Sequence, residues 1–273
     1  MLYERWRQIA RSYAGEIALR DPARQWTFRE LEMAAENAAA PDGPIAFPTG
    51  LSADFVLNVL RTWKAGRIVC PLETDQRAPE IAPGLSPEIA HLKMTSGTTA
   101  APRFVAFTAE QLAADAENIV ATMGLRQDWP NLGVISLAHS YGFSNLVLPL
   151  LLHGIPLVLA GAPLPEIVLR AAGTEKFVTL AAVPALWRTW FDADAIPRNV
   201  RLAISAGAPL PVALEQSVFA ARGLKIHNFY GSSECGGIAY DAGSGARLDG
   251  SCAGAPMRNV NLTVGDDGCL EVR

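Results

Sequence analysis

Cysteine and histidine are both scarce here, at four residues each in a chain of 273. Cys70, Cys235, Cys252 and Cys269 never stand in CxxC spacing, so the sequence offers no zinc-ligand pairs and no disulfide framework. Cys252 and Cys235 are expected as small buried residues, and free thiols in a chain of this size fit a cytoplasmic location. There is no run of Lys or Arg, and the formal net charge is −4, so nucleic acid is not an expected partner. The longest apolar run, "NLVLPLLLHGIPLVLAGAPLP", is broken by prolines, glycines and His153. It reads as a buried helix, a turn and a strand, not as a membrane span. "MLYERWRQIARSY" mixes charges with apolar residues at helical spacing, so it does not read as a signal peptide. Repeats and low-complexity tracts are missing as well.

Half of the residues are hydrophobic and 18% are charged, a balance that favours a folded protein with a sizeable core. Thr27 with Glu30, and Thr108 with Gln111, stand in capping-box spacing ahead of two helices. Gly66 and Gly124 follow helical stretches as stops. From "FVAF" (104–107) onward, apolar strands alternate with helices: "LGVISLA", "IPLVLA", "KFVTLAAV", "VRLAISAG" and "LKIHNFYG" are the strands. That alternation predicts an α/β fold with mainly parallel sheet flanked by helices. After about residue 246 the pattern changes, and "NVNLTV" and "CLEVR" joined by "GDDG" predict a small antiparallel segment near the C-terminus. The Pro- and charge-rich stretch 73–90 reads as a surface loop. Trp6, Trp26, Trp63, Trp187 and Trp190 read as packing residues.

Between two apolar runs lies "TSGTT", Thr95, Ser96, Gly97, Thr98 and Thr99, with Arg103 close behind. Hydroxyls, free amides, a glycine and a cation suit an anion, above all a phosphate. This is not a Walker loop: the GxxxxGK[ST] spacing is missing and a strand follows, not a helix. Taken alone, such a stretch is a polar turn more often than a phosphate site.

Read in order, "MTSGTTAAPRF", "HSYGF" (139–143), "SAGAPLP" (205–211) and "NFYGSSE" (228–234) resemble the motifs of the adenylate-forming enzymes. These include acyl- and aryl-CoA synthetases, luciferases and peptide-synthetase adenylation domains. "GSCAGAPMRNVNLTV" and "DDGCLEVR" resemble the stretch leading to that family's later motifs. The resemblance implies the layered N-terminal α/β domain of the family, binding ATP, Mg²⁺ and a small-molecule carboxylic acid. It implies that Thr95, Ser96, Gly97, Thr98 and Thr99 contact the β- and γ-phosphates. Asn228, Tyr230 and Gly231, with Gly207 and Ala208, would hold the adenine. Ser233 would reach the α-phosphate or the carboxylate, and Glu234 would hold the metal. His139, Tyr141, Phe143 and Cys235 are candidates for the acyl pocket. His139 and Arg103 are counted with Ser233 and Glu234 as catalytic candidates, although His139 also reads as a loop histidine and Arg103 as a surface charge. The acyl-adenylate would pass to a thiol, that of CoA or of a phosphopantetheine carrier protein.

The chain departs from the family pattern in three places. Ala100, Arg103 and Phe104 stand where the family has Gly, Lys and Gly. The stretch 74–94 is short, which predicts a condensed N-terminal subdomain. The later motifs and the mobile C-terminal domain with its lysine are not in the sequence, so the chain reads as a piece of a longer enzyme or as a naturally short relative. The expected division is therefore an AMP-binding domain over 1–245, in two subdomains, and the start of a small β subdomain over 246–273. A non-catalytic or partner-dependent nucleotide- or acyl-adenylate-binding module, completed by a separate C-terminal domain, is the alternative.

Overall fold

The computed structural model describes residues 1–81, 84–95 and 103–273. Helix α1 (Leu2–Ser12) turns Leu2, Tyr3, Trp6 and Ala10 inward on one face. A hairpin that the sequence reading did not anticipate follows, β1 (Ile17–Arg20) against β2 (Gln25–Thr27). Thr27 then caps α2 (Phe28–Asn37). Its hydroxyl accepts from the Glu30 amide at 3.2 Å, and the Glu30 carboxylate accepts from the Thr27 amide at 2.7 Å. Next come β3 (Ile45–Ala46), α3 (Ala53–Lys64) and β4 (Ile68–Val69). Residues 73–88 contain no helix or strand among those described, in agreement with the loop expected there. The segment β5 (Ile89–Thr95) pairs antiparallel with β6 (Arg103–Thr108), so a strand does follow the hydroxyl-rich loop. Ser96, Gly97, Thr98, Thr99 and Ala100 lie outside the described residues. Phe104, which replaces a family glycine, packs with Met94 on a small core of Cys70, Leu72 and Leu92.

Helix α4 (Ala109–Met123) begins at the second capping box and ends at Gly124, in the left-handed conformation (φ 67°). Strand β7 (Asn131–Gly133) is shorter than the apolar run suggests. Val134, Ile135 and Leu137 are buried, yet they leave the ladder. The chain there curls so that the Ser136 carbonyl meets Gly142, where a methyl group would overlap it. Helix α5 (Ser140–Gly142), a π turn (Phe143–Val147) and α6 (Leu148–His153) form one continuous helical run. Strand β8 (Leu157–Leu159), α7 (Pro165–Ala172), β9 (Val178–Ala182), α8 (Pro184–Asp192), β10 (Val200–Ser205), α9 (Val212–Arg222) and β11 (Ile226–Ser232) continue the alternation. Antiparallel pairing begins earlier than 246, with β12 (Gly236–Tyr240) folding back on β11 and β13 (Ala255–Pro256) following. Strands β14 (Leu262–Val264) and β15 (Leu270–Val272) form the expected antiparallel pair.

The main sheet has nine strands in the order β13-β12-β11-β10-β9-β7-β8-β1-β2. Its centre, β11 through β1, is parallel and its edges are antiparallel. A second sheet of four strands runs β3-β4-β5-β6. The chain passes from β7 to β8 on one side, then to β9 on the other, so β7 is a point where the direction of winding reverses. In open parallel sheets, ligands settle outside the carboxyl ends of strands at such a point.

One core residue is exceptional. His91 on β5 is 1% exposed, lies 4.3 Å from the Phe143 ring (centroids), and neither ring nitrogen has a hydrogen-bond partner among the described residues. Burial, helped by the Lys93 charge, holds its pKa well below the ordinary histidine value. The unfolded chain therefore binds a proton near pH 6.5 that the folded chain refuses, and stability must fall as pH drops through that value. His153 and His227 are lowered too, chiefly by burial. We expect urea unfolding midpoints to fall between pH 7.5 and 5.5, and His91→Leu to lose less stability than the native chain over that interval. The difference should approach about 1.4 kcal/mol per pH unit below 6.5. Equal losses in the two proteins would show that His91 is not held neutral.

Candidate active site

Two cavities open at the carboxyl ends of the parallel strands. Ser205, which ends β10, pairs with Ala182 on one side and with Asn228 on the other. That register places the segment 206–210 beside Phe229, Tyr230 and Gly231. The first cavity, about 170 Å³, is lined by His139, Tyr141, Ser144, Asn145, Ser233 and Lys93, among others. The second, about 310 Å³, is lined by Ala208, Asn228, Tyr230, Arg247, Ser251 and Ala253, among others. Gly207, Phe229 and Gly231 belong to both walls. Gly207 turns the chain with φ of 82°, a conformation that a side chain would resist.

In the second cavity Tyr230 is 45% exposed, an unusual state for a large ring and one that leaves a face free for stacking. Asn228 is buried, and its amide donates to the Ala253 carbonyl at 3.4 Å. Beneath the cavity lies a buried set of charges. Glu215 accepts from the Arg247 Nε and backbone amide, both at 2.8 Å, and is paired with Lys225, which also reaches Asp241 at 2.6 Å. Two cations face two carboxylates, so the set is neutral as a whole. Arg247 also donates to the carbonyls of Cys252 (2.7 Å) and Leu210 (2.8 Å), tying two edges of the cavity together.

In the first cavity, His139 starts the helical run and its Nδ1 accepts from the Tyr141 amide at 3.2 Å. A neutral ring in that arrangement carries its proton on Nε2 and so presents a donor. Ser140 and Ser233 hydroxyls meet at 2.9 Å, joining the helix start to the β11–β12 turn. The Tyr141 hydroxyl is buried near the carbonyls of Ile204 (3.3 Å) and Ala182 (3.5 Å), and burial pushes its pKa far up, so it stays a neutral phenol. The π turn has a local cause. Pro149 lacks the N–H that would bond the Asn145 carbonyl in a regular helix. The Leu148 amide bonds Phe143 instead, one residue further back, and the buried Asn131 side chain donates to the Asn145 carbonyl at 3.1 Å. The wider turn puts both Ser144 and Asn145 on the cavity wall.

The structure thus brings together His139, Tyr141, Ser233, Gly207 and Gly231 at one cavity, and Ala208, Asn228 and Tyr230 at its neighbour. Glu234 is exposed in the turn between β11 and β12. Thr95 and Arg103 face each other at the mouth of the β5–β6 hairpin, where the Thr95 hydroxyl donates to the Arg103 carbonyl at 3.3 Å. Two acyl-pocket candidates lie elsewhere. Phe143 is fully buried behind the cavity, against His91 and Phe55, because the helix turns that position into the core. Cys235 is exposed at a tight turn, as is Cys252 in its loop, so neither is the buried residue expected from composition. Sequence reasoning missed Lys93, Asp115, Asn131 and Arg247. Each is a single polar residue in an apolar or mixed stretch, and only the lysine inside the strand "IAHLKMT" carried a visible anomaly.

The AMP-binding enzyme family model matches residues 83–272, and the chain belongs to that family. It is 33% identical, over 44% of its length, to the 2-hydroxy-7-methoxy-5-methyl-1-naphthoate–CoA ligase of Streptomyces carzinostaticus. It is 32% identical, over 56% of its length, to the 4-coumarate–CoA ligase of Rhodobacter capsulatus. These matches span 21% and 39% of the relatives' own lengths, well under two thirds. The O-succinylbenzoate coenzyme A synthetase of Bacillus subtilis, solved with AMP, superposes with a TM-score of 0.83 at 20% identity, over 98% of this chain and 84% of that one. That likeness establishes the fold: mainly parallel sheets flanked by helices.

The bracing role of Arg247 is testable. Arg247→Met leaves Glu215 with one cation where it had two, and breaks both carbonyl ties. Removing one partner of a buried ion pair typically costs about 3–5 kcal/mol. We expect a loss of that order in chemical denaturation. A loss below about 1 kcal/mol would mean that the set does not hold the cavity together.

Proposed function

We propose that this chain supplies the nucleotide- and acid-binding part of an AMP-forming acid–thiol ligase of the acyl/aryl-CoA synthetase type. The adjacency of the two cavities across Gly207, Phe229 and Gly231 carries this reading. A planar base in the cavity beside Tyr230 and an acid in the one beside His139 would meet across that shared wall. The reaction has the acid's carboxylate oxygen attack the α-phosphorus of ATP, with pyrophosphate leaving. The sulfur of a thiol, that of CoA or of a carrier phosphopantetheine, then attacks the acyl carbon, and a thioester forms as AMP leaves and the thiol proton is released. No protein nucleophile is needed, and acceleration comes from placing the two reactants and stabilising charge.

Residue roles follow from position. The Tyr230 ring stacks on the base, and the Asn228 carbamoyl oxygen, its amide being engaged with Ala253, accepts from an exocyclic amino group. His139 and Ser233 donate toward the carboxylate and α-phosphate, where the 140–233 hydroxyl pair fixes their relative position. Thr95 and Arg103 frame the residues 96–99 that would hold the outer phosphates. Mg²⁺ usually binds through one or two carboxylates together with substrate phosphates. Glu234, an exposed carboxylate whose charge is felt at the cavity-lining Lys93, fits that requirement and would hold the ion, which neutralises phosphate charge during transfer. Residues 1–245 act as the AMP-binding domain and 246–273 open a small β subdomain. Among the described residues, no helix is long and apolar enough to cross a membrane.

Calorimetric titration tests this. The chain should bind both AMP and Mg·ATP. Tyr230→Ala should weaken both by about tenfold, the value of a good aromatic stack. Glu234→Ala should weaken Mg·ATP more than metal-free AMP. A native chain that binds neither nucleotide removes the proposal.

A further inference from the structure

The first cavity contains an ammonium group with one long hydrogen bond and no paired carboxylate among the described residues. Lys93 lies on β5 between Leu92 and Met94, which face the small core of Cys70 and Leu72. Strand alternation sends Lys93 the opposite way, and it lines the first cavity. It is 4% exposed. Its one hydrogen bond among the described residues is a long one, 3.5 Å to the Ser144 hydroxyl, and its Nζ stands 4.5 Å from the Phe107 ring centroid. No carboxylate comes within ion-pair distance of it among the described residues. Asp115, whose charge is felt at Lys93, accepts from the Ser144 hydroxyl at 2.6 Å and the Gly237 amide at 3.0 Å. Beside Lys93 on the same wall, Asn145 is 2% exposed, and neither its side-chain nitrogen nor its oxygen has a partner among the described residues.

Buried charges and amides are costly unless they are paired, so such a group at a cavity wall marks a place where a ligand completes the pairing. Burial lowers the basicity of Lys93, while Asp115 and Glu234 raise it; an incoming anion adds to the second effect. Lys93, Ser144 and Asn145 line the acid-binding cavity and not the one beside Tyr230. The anion they await is therefore not on the nucleotide's base. At about 170 Å³ the cavity is smaller than the usual range of roughly 300–1,000 Å³, and it suits an acid with a short chain or a single ring.

We propose that Lys93 and Asn145 select a small dicarboxylic acid, binding the second carboxylate while the first is activated. This rests on the reading of the chain as an acid-activating, AMP-binding protein. Lys93 forms the ion pair, and the Asn145 amide donates to the same group. Neither residue takes part in the phosphoryl chemistry, so they set specificity.

The test uses acyl-sulfamoyl adenosines, in which an unreactive sulfamate stands for the acyl phosphate. Two matched pairs serve: benzoyl against 3-carboxybenzoyl, and butanoyl against 4-carboxybutanoyl. AMP is titrated in the same samples and reports on the nucleotide cavity. We expect the native chain to bind at least one carboxylated analogue about tenfold or more tighter than its plain partner, the usual worth of a charged hydrogen bond. In Lys93→Met that ratio should collapse to about one. Asn145→Leu serves as the second variant should Lys93→Met fail to fold, and it should reduce the ratio in the same direction. AMP binding with no preference within either pair, or a preference that survives both substitutions, overturns the inference and leaves the nucleotide reading intact. Loss of AMP binding in the native chain overturns the nucleotide reading and this inference with it.

Discussion

The register of three parallel strands governs the site. Ser205 stands between Ala182 and Asn228, and its position fixes where β9, β10 and β11 release their chains. Parallel ladders are held by evenly spaced backbone bonds, so a slip of one residue would turn every side chain to the opposite face. With the observed register, the turn at Gly207 passes beside Phe229 and Gly231, and a single wall serves two cavities. The antiparallel return of β12 then folds the Ser233–Cys235 turn back over the same edge. Both adjacency and closure follow from strand pairing, before any site residue makes a contact.

A missing backbone donor shapes the other wall. Pro149 sits inside a helical run, where an interior proline ordinarily costs about 3 kcal/mol. Here the run shifts to a π turn, and Asn131 supplies the donor that the proline lacks. The consequence reaches the cavity wall. Widening the turn puts two successive residues, Ser144 and Asn145, on the cavity side, while Phe143 goes into the core against His91.

Buried charge is treated in two ways within one domain. Under the cavity beside Tyr230, Glu215, Arg247, Lys225 and Asp241 satisfy one another, and Arg247 spends its remaining donors on carbonyls of the cavity edge. Such a set holds loops in place but offers nothing to a ligand. In the first cavity, Lys93 has only a long bond to Ser144, and Asn145 has no side-chain partner among the described residues. The contrast separates scaffolding polarity from polarity left available for binding.

Local features were determined by the sequence itself. Both capping boxes, the glycine stop at Gly124, the alternation of strands and helices and the β14–β15 pair are governed by residues a few positions apart, and short-range rules reach them. The motif residues Asn228, Tyr230, Gly207, His139 and Ser233 were legible as a group because order along the chain is itself a signal. Tertiary structure alone decided the rest. The β1–β2 hairpin and β12 are short strands whose pairing depends on distant partners. Phe143 and Cys235 left the pocket because the π turn and a tight turn aim them elsewhere. Asp115 meets Gly237 across 122 residues, and Lys93 meets Ser144 across 51. No periodicity records a contact of that span, because a lone charge in an apolar strand has the same sequence signature whether it is paired, exposed or facing a cavity.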